Sequence, residues 1–452
     1  MKTDFLFVKI SIFCRDAIYR VFLIYRVFLI HRVFVMHGKD AMNRVSTAVL
    51  LICLFLYATT VAVAQDTTKV EKPKREFKDI VTLRGYLKNL NIVSFSGNPL
   101  IGNSNEQFLH NRLNLRIYPV KGLTVAAELR TRFFYAGATA NSPTAKDAMD
   151  KDAGLVDMSW NIGNNVNPVH LNTTLDRLWV AWGNDKVDIR VGRQRINWGI
   201  NTAWNPNDIF NAYNFIDFDY EERPGSDAVR FQYFGKKMRG FEIAVAPQRT
   251  WKQSTAAFMY KFNAKSYDFQ LIAGQYRTDL TAGFGFAGNA GKAGLKGEIQ
   301  WFGPYENFRH GRHTVTSSIS ADYSFKNSVY INGSILFNSN GIDNSDPLKL
   351  TGFFSGSSLT AKNLMPTKYN AFLSLGYPIT PLLNVNFAVI YGYGPNLLLL
   401  NPSFTYSIVE NWDILLVGQL FFSDFPELTV NGLENNYQNL SNSVFLRLKW
   451  SF

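Results

Sequence analysis

Apolar and polar residues alternate along most of the chain after residue 80. Val125, Ala127, Leu129 and Phe133 alternate with Glu128, Arg130 and Arg132, and Val187, Ile189 and Val191 alternate with Lys186, Asp188 and Arg190. A period of two indicates strands with one apolar and one polar face. The same pattern occurs at 113–118, 229–234, 241–245, 267–273, 295–301, 315–325, 329–337, 371–377, 383–393, 404–408 and 414–422. We find no amphipathic helix of 12 or more residues, so the sequence predicts an all-β fold.

The connections between these strands alternate in length. Short links are expected at 120–122, 183–185, 325–327, 378–381 and 410–411, and long ones at 136–172, 192–227, 338–368 and 423–442. Short turns on one rim and long loops on the other are typical of bacterial outer-membrane barrels. A soluble sandwich is the alternative, but its connections are usually shorter and its polar face points outward. The pattern therefore predicts a transmembrane antiparallel up-and-down β-barrel over residues 80–452, with 18 strands or, as the alternative, 16.

The N-terminal region has the order of an export signal. A short basic region, Asn43-Arg44, precedes an apolar core from Val45 to Val61, and Ala62-Val63-Ala64 supplies a small-residue cleavage site. We therefore predict a signal peptide at 42–64 and a short polar periplasmic segment at 65–79; an inner-membrane anchor is the alternative. Residues 1–41 contain a six-residue repeat that no fold requires, and we interpret them as a mis-called extension ahead of Met42.

Composition narrows the function classes. The chain is 46% hydrophobic, 15% aromatic and 18% charged, which excludes general disorder. Both cysteines, Cys14 and Cys53, precede residue 65, so the exported chain would have no disulfide and no thiol nucleophile. The first 64 residues hold eight basic and three acidic residues, which leaves 39 and 32 and a net charge of +7. An exported chain with scattered basic residues does not favour nucleic-acid binding.

A barrel of 18 strands is too wide for side chains to fill, so its polar face would line an aqueous lumen. The pore-lining candidates are Arg112, Arg116, Glu128, Arg130, Arg132, Lys186, Arg190 and Arg230. Rings of arginine or lysine favour anions. The alternative is a generally polar wall in which the arginines pair with Glu128 or Asp188.

A second group of candidates follows the strand that ends in Gly192-Arg193-Gln194. Trp198-Gly199 comes next, then a long polar loop and a new strand from Asp227. Over roughly residues 175–235 this order resembles Gram-negative outer-membrane porin-like channels of the alginate-export type and related uncharacterised families. The resemblance implies that Arg193 and Arg195 lie near the constriction and that the loop folds inward to meet them.

The loop also carries an acidic cluster that departs from that family. Its members are Asp217, Asp219, Glu221 and Glu222, and Arg223 follows them in the predicted constriction loop. Acidic and basic groups facing each other across a pore would set up a transverse field that orients polar solutes. Two alternatives remain open at this point: the carboxylates could ligate calcium, or the loop could be a solvated extracellular one.

The last strand alternates as well, with Val444, Leu446, Leu448, Trp450 and Phe452 on one face. It resembles the C-terminal recognition strand of Gram-negative outer-membrane proteins. That resemblance implies that Trp450 and Phe452 form a signal for the barrel assembly machinery. A chance aromatic terminus on a soluble edge strand is the alternative.

Tryptophans offer a further solute contact. Trp198 and Trp204 are expected to be exposed loop residues able to stack on a ligand, although an interfacial girdle is the commoner role for tryptophan in barrels. The sequence shows no catalytic constellation, cofactor site or metal site. The spacing His310-x-x-His313 favours a polar turn rather than a metal site. The leading prediction is a non-enzymatic channel for polar, anionic or saccharide-like solutes, in contact with outer-membrane lipid. A non-conducting barrel subunit of a complex and an outer-membrane enzyme are the alternatives.

Overall fold

A computed structural model describes residues 77–95, 103–137, 154–162, 169–212, 225–343, 360–429 and 432–452. The predicted extension, signal peptide and most of the periplasmic segment lie outside these residues. Within them, no helix has the length and apolar character needed to cross a membrane.

The described chain contains one short helix and 19 strands. Helix α1 covers Phe77–Ile80. The strands are β1 Val81–Phe95, β2 Ser104–Ile117, β3 Leu123–Gly137, β4 Ser159–Ile162, β5 His170–Gly183, β6 Val187–Gln194, β7 Ser226–Phe234, β8 Gly240–Ala246, β9 Thr255–Ala264, β10 Tyr267–Tyr276, β11 Asp279–Ala290, β12 Ala293–Pro304, β13 Thr314–Ser324, β14 Tyr330–Asn338, β15 Tyr369–Thr380, β16 Leu383–Gly392, β17 Leu397–Val409, β18 Trp412–Thr429 and β19 Gly432–Ser451.

Eighteen of these strands form a closed antiparallel barrel, which confirms the predicted fold and strand number. Each strand pairs with its neighbour in sequence, and β1 pairs with β19 from Tyr86↔Ser451 to Phe95↔Asn442 to close the ring. The remaining strand, β4, pairs with β5 near the long-loop rim, beyond the point where β6 ends. It supplies hydrogen-bond partners to an edge of β5 that would otherwise be unpaired.

The two faces of the wall follow the period-two pattern. On β1, Leu83, Leu87 and Val93 are exposed on the outer face, whereas Tyr86 and Lys88 are buried on the inner face. Aromatic rings stack side by side on the outer face of β7 to β9, with Tyr233, Phe241 and Phe258 at centroid distances of 5.4 and 5.9 Å. Such an apolar, aromatic outer face suits lipid, and a polar inner face suits an aqueous lumen.

The connections sort onto two rims as predicted. The short-turn rim carries links such as 184–186, 265–266 and 410–411, and the long-loop rim carries 195–225 and 339–368. One expectation is wrong. Residues 423–442 form no long loop, because β18 and β19 run on through them as a paired hairpin to Thr429↔Gly432. Their polar composition reflects strands of 18 and 20 residues, longer than the roughly 10 that a bilayer requires.

Candidate functional site: a charged lumen narrowed by inward segments

The β6–β7 connection does not stay outside the barrel. Residues 195–212, here called the inward segment, fold into the lumen and hydrogen-bond to the inner wall on β10 to β14. Its main anchor is the Glu298 carboxylate of β12, which accepts the backbone N–H groups of Ile200, Asn201 and Asn207 at 2.5, 2.7 and 2.9 Å. Glu298 therefore satisfies backbone donors that a buried loop would otherwise leave unpaired.

Further side-chain bonds fix the middle of the inward segment. Asn201 Nδ2 donates to the Ser318 carbonyl oxygen at 3.0 Å, and its Oδ1 accepts from the Ser320 hydroxyl. Asn332 Nδ2 donates to Thr202 Oγ1 at 3.0 Å. These contacts lie on β13 and β14, so the segment follows the wall round the barrel rather than hanging free in the lumen.

Both tryptophans of the inward segment are buried, at 1% exposure each. The expectation that Trp198 and Trp204 are exposed is therefore wrong. Trp198 packs edge-on against Phe210 and donates its indole N–H to Glu242 Oε1 on β8 at 2.6 Å. Trp204 packs against Phe372 on β15. The rings hold the segment against the wall, and with this burial they present no face for a solute to stack on.

A second segment, residues 360–368, also packs on the inside. Ala361, Leu364 and Met365 are buried in the same apolar clusters as Trp198 and Trp204. Lys362 Nζ pairs with Asp279 on β11 at 2.8 Å, and Asn363 Oδ1 accepts from Asn338 of β14. The two segments together line one side of the lumen.

The opposite side of the lumen is basic. In an 18-stranded ring, β2 lies nine strands from β12 and so faces it across the lumen. The register brings Lys449, Lys88, His110 and Arg132 into one row on the inner face of β19, β1, β2 and β3. Lys449 Nζ and Lys88 Nζ both lie over the Tyr86 ring, at 4.8 and 5.5 Å. This basic row faces the wall that holds the inward segment.

Next to the row lies a buried ion-pair network, here called the Arg112 cluster. Arg112 is 1% exposed and contacts Glu128 Oε2 at 2.7 Å and Asp176 Oδ2 at 2.6 Å. Arg130 reaches Asp176 at 3.2 Å, and Arg177 reaches Glu128 at 3.1 Å. Three guanidinium groups thus share two carboxylates, which leaves the cluster with a net positive charge. Arg112 and Arg177 thus pair with Glu128, as the alternative interpretation expects, and a role of this wall in anion selectivity stays a prediction.

A comparable group forms on β7 and β8. Arg230 binds Glu242 through both carboxylate oxygens, at 2.6 and 2.9 Å, and Gln232 Nε2 donates to Glu242 Oε2 at 2.8 Å. Because Glu242 also accepts from Trp198, this group connects the charged wall to the inward segment.

An open cavity of about 780 Å³ lies at the short-turn rim. Its lining includes Trp179, Asp188, Arg190 and Gln232. The Arg190 guanidinium lies 4.1 Å from the centre of the Trp179 ring, and Arg190 approaches Asp188 at 3.9 Å. Arg116, exposed on the inner face opposite Thr82 and Ala126, lies toward the same rim.

Two predicted residues lie elsewhere than expected. Lys186 is exposed in the turn before β6, where the Asn184 side chain accepts its backbone N–H, so it is not on the wall. Arg193 lies on the same face of β6 as Val191, whose side chain is 50% exposed on the outside of the barrel. There it forms a two-point ion pair with Asp227, at 2.8 and 2.9 Å, and donates to the Val156 carbonyl at 2.5 Å. These contacts show that Arg193 holds the chain together at the outer side of the rim.

The other predicted residues lie in several different places. Arg195 is half-buried at the start of the inward segment, close enough to Arg177 for the two guanidinium groups to interact electrostatically. The acidic cluster Asp217, Asp219, Glu221 and Glu222, and Arg223 after it, lie outside the described residues. Trp450 and Phe452 pack together on the outer face at 5.1 Å, with Trp412 stacked on Trp450. His313 Nε2 lies 2.9 Å from the Phe308 carbonyl oxygen, in a turn as expected.

Several lumen residues were missed by the sequence reasoning. Glu242 lies between Phe241 and Ile243 and could have been found by the same period-two rule, whereas Lys88 is followed by Asn89 and shares its face with Leu90 and Ile92. Asp176 and Arg177 could not, because a β-bulge between β3 and β5 turns two consecutive side chains to the inside. Glu298 lies on a recognised strand, but its partner segment is remote in sequence.

Comparison with known proteins shows the fold class. The chain is similar to the crystal structures of Acinetobacter baumannii OccAB4 (TM-score 0.52, 10% identity, covering 84% of this chain and 100% of that one) and Pseudomonas aeruginosa OccK11, also called OpdR (0.51, 9%, 82% and 96%). Pseudomonas aeruginosa OccK9, also called OpdG, gives 0.51 at 11% identity, covering 84% and 100%. These neighbours are Gram-negative outer-membrane porins. The chain therefore has the fold of an outer-membrane porin.

No family model and no curated protein matches the sequence. The finer resemblance to alginate-export-type channels stays a prediction.

Proposed function

We propose that this chain is an outer-membrane channel for the diffusion of small polar solutes, with a preference for anionic or saccharide-like ones. The observation that carries the proposal is the basic inner wall on β19 to β3, set across the lumen from the anchored inward segment. The neighbours in fold are porin channels rather than enzymes.

Charge and narrowing act together in this proposal. A wide barrel screens its wall charges with water and salt within about 8 to 10 Å. The inward segments fill one side of the lumen, so a solute is confined to the basic side. Fixed guanidinium groups there would raise the local concentration of anions and supply bidentate contacts for carboxylates.

The experiment is a planar-bilayer recording under a salt gradient. The mature chain from Gln65 is refolded, and single-channel conductance and reversal potential are measured. We expect persistent openings and an anion-selective reversal potential. Arg116→Gln and Arg190→Gln should each move the reversal potential toward zero, since both lie at the open cavity or on the inner wall. Lys326→Gln removes the same charge from an exposed turn on the same rim and should leave the potential unchanged.

The outcomes separate the candidate functions. A folded barrel that never conducts would contradict the channel and favour a subunit of a larger complex. A barrel that conducts with a preference for cations would support the proposed channel function but contradict the assignment of anionic solutes.

A further inference from the structure

Exposed basic residues cluster on three neighbouring connections of the long-loop rim. The connections are 247–254, 277–278 and 305–313, which join β8 to β9, β10 to β11 and β12 to β13. Their lysine and arginine residues, here called the basic rim patch, are all exposed: Arg249, Lys252, Arg277, Arg309 and Arg312. The structure describes these three connections in full, and Glu306 is their one acidic residue. The patch is therefore strongly positive.

Two hydrogen bonds and one ion pair join the three connections into a single surface. Gln275 Nε2 donates to the carbonyl oxygens of Trp251 and Arg277, at 3.1 and 2.9 Å. Lys252 Nζ pairs with Glu306 at 2.5 Å and so links the first connection to the third. Among the described residues, the four arginines of the patch form no ion pair, so their charges are left for a partner.

The connection 305–313 leans toward the lipid-facing side of the wall. Trp301 shares its face of β12 with Ile299, which is 44% exposed on the outside of the barrel. Phe308 packs edge-on against the Trp301 ring at 5.7 Å, and His313 stacks on the same ring at 5.6 Å. The two arginines of this connection lie between these two residues in the sequence, so they are held above the outer face.

The connection 247–254 leans the same way. Gln275, whose amide holds the Trp251 carbonyl, shares its face of β10 with Leu271, which is exposed on the outside. The Trp251 ring is itself exposed. Aromatic rings at the ends of lipid-facing strands are typical of the interface between membrane and water, and the long loops of such barrels lie outside the cell. The basic rim patch therefore lies at the level of the outer-leaflet headgroups.

We propose that the basic rim patch binds the phosphate groups of lipopolysaccharide, the phosphorylated glycolipid of the outer leaflet. Guanidinium groups bind phosphate oxygens in a two-point geometry, and four of the five basic side chains are arginines. Basic residues at a membrane surface also attract anionic headgroups over a Debye length. Charge complementarity disfavours a second copy of this chain, since a symmetric contact would bring two positive surfaces together. The inference shares the outer-membrane location with the proposed function but requires no conduction.

The test is a binding titration of the mature chain from Gln65, in detergent, with purified lipid A, the phosphorylated anchor of lipopolysaccharide. EDTA is present so that divalent cations form no bridges. Wild type should bind lipid A about tenfold more tightly than the same lipid treated with phosphatase. Arg309→Gln combined with Arg312→Gln should weaken binding about tenfold, because each charge near the surface contributes to headgroup attraction. Arg249→Gln combined with Arg277→Gln should do the same from the other two connections.

The matched control is Lys236→Gln combined with Lys237→Gln, which removes the same charge from an exposed turn on the opposite rim. It should bind lipid A as wild type does, and strand content by circular dichroism shows that each variant folds. Equal binding by wild type and both arginine variants would overturn the proposal.

Other occupants give different results in the same experiment. Equal affinity for phosphatidylglycerol would overturn the assignment to lipopolysaccharide. A lipid-free dimer, seen by light scattering and lost in the arginine variants, would overturn it in favour of a second copy. A chain that binds lipid A through the patch but never conducts would support this inference and contradict the proposed function, so the two fail separately.

Discussion

Gly85 and Phe452 exchange two backbone hydrogen bonds of 2.9 Å each, and the Phe452 ring lies over Gly85 where any other residue would carry its Cβ. A Cβ at Gly85 would lie 2.7 Å from Phe452 Cζ and closer still to the Arg112 carbonyl oxygen. We therefore predict that Gly85→Ala lowers the free energy of unfolding by about 1 to 3 kcal/mol, because it overpacks the closing seam. Urea denaturation in detergent measures it.

Gly333→Ala is the matched control. Gly333 also faces outward on a barrel strand, but its Cβ would have only the Phe372 carbonyl oxygen nearby, at 3.9 Å. This variant should unfold at the wild-type urea concentration. Equal destabilisation by both substitutions would show that the seam has no special sensitivity.

Trp198→Phe tests how the inward segment is held. The substitution keeps most of the ring but removes the N–H that donates to Glu242 at 2.6 Å, a bond to a charged acceptor worth about 1.5 to 3 kcal/mol. We expect larger and noisier single-channel conductance as the segment loosens. Trp412→Phe alters a ring that is 37% exposed on the outer face, where it stacks on Trp450, and should leave the conductance as it is. Unchanged conductance in Trp198→Phe would mean that the segment does not narrow the passage.

Asp176→Asn tests the Arg112 cluster. Removing the charge leaves Arg112 and Arg130 with one buried carboxylate fewer, and breaking a buried pair typically costs about 3 to 5 kcal/mol. The lumen also becomes more positive, so the reversal potential should move further toward anion selectivity. The exposed pair of Lys252 and Glu306 provides the contrast, since Glu306→Gln should not measurably change stability. Urea denaturation and bilayer recordings report the two effects separately.

Arg193→Ala separates a structural arginine from a pore-lining one. Because Arg193 pairs with Asp227 on the outer side and holds the Val156 carbonyl, its loss should leave the reversal potential unchanged. Residues 154–162 should become more susceptible to protease, with cleavage sites mapped by mass spectrometry. A clear shift in reversal potential would instead support the role that the family resemblance implies for Arg193.

The strands of the barrel wall could be predicted from the sequence, but only some of the side chains that face the lumen could. Period two depends on the local geometry of a strand, so residues such as Leu129 and Arg130 reveal their faces without any knowledge of the rest of the chain. Asp176 and Arg177 break the period at a bulge, and no local rule assigns both to the inside.

The inward segment shows why the position of a loop is harder to predict from the sequence than that of a strand. Long connections in a barrel are expected to be solvated, yet Ile196, Trp198, Trp204 and Ile209 are apolar and fully buried. These apolar residues could have indicated that the loop packs against the barrel wall. Its partner, Glu298, lies on a strand whose own pattern says only that its side chain faces the lumen.

The anchoring by Glu298 also has a consequence for assembly. The carboxylate lies 91 to 98 residues beyond the backbone N–H groups that it binds. Until β12 has joined the sheet, those N–H groups have no acceptor there, and closing so long a connection costs chain entropy. The inward segment is therefore expected to bind the inner wall only after β12 has joined the sheet. The newly formed barrel then has an open lumen, which the segment narrows afterwards.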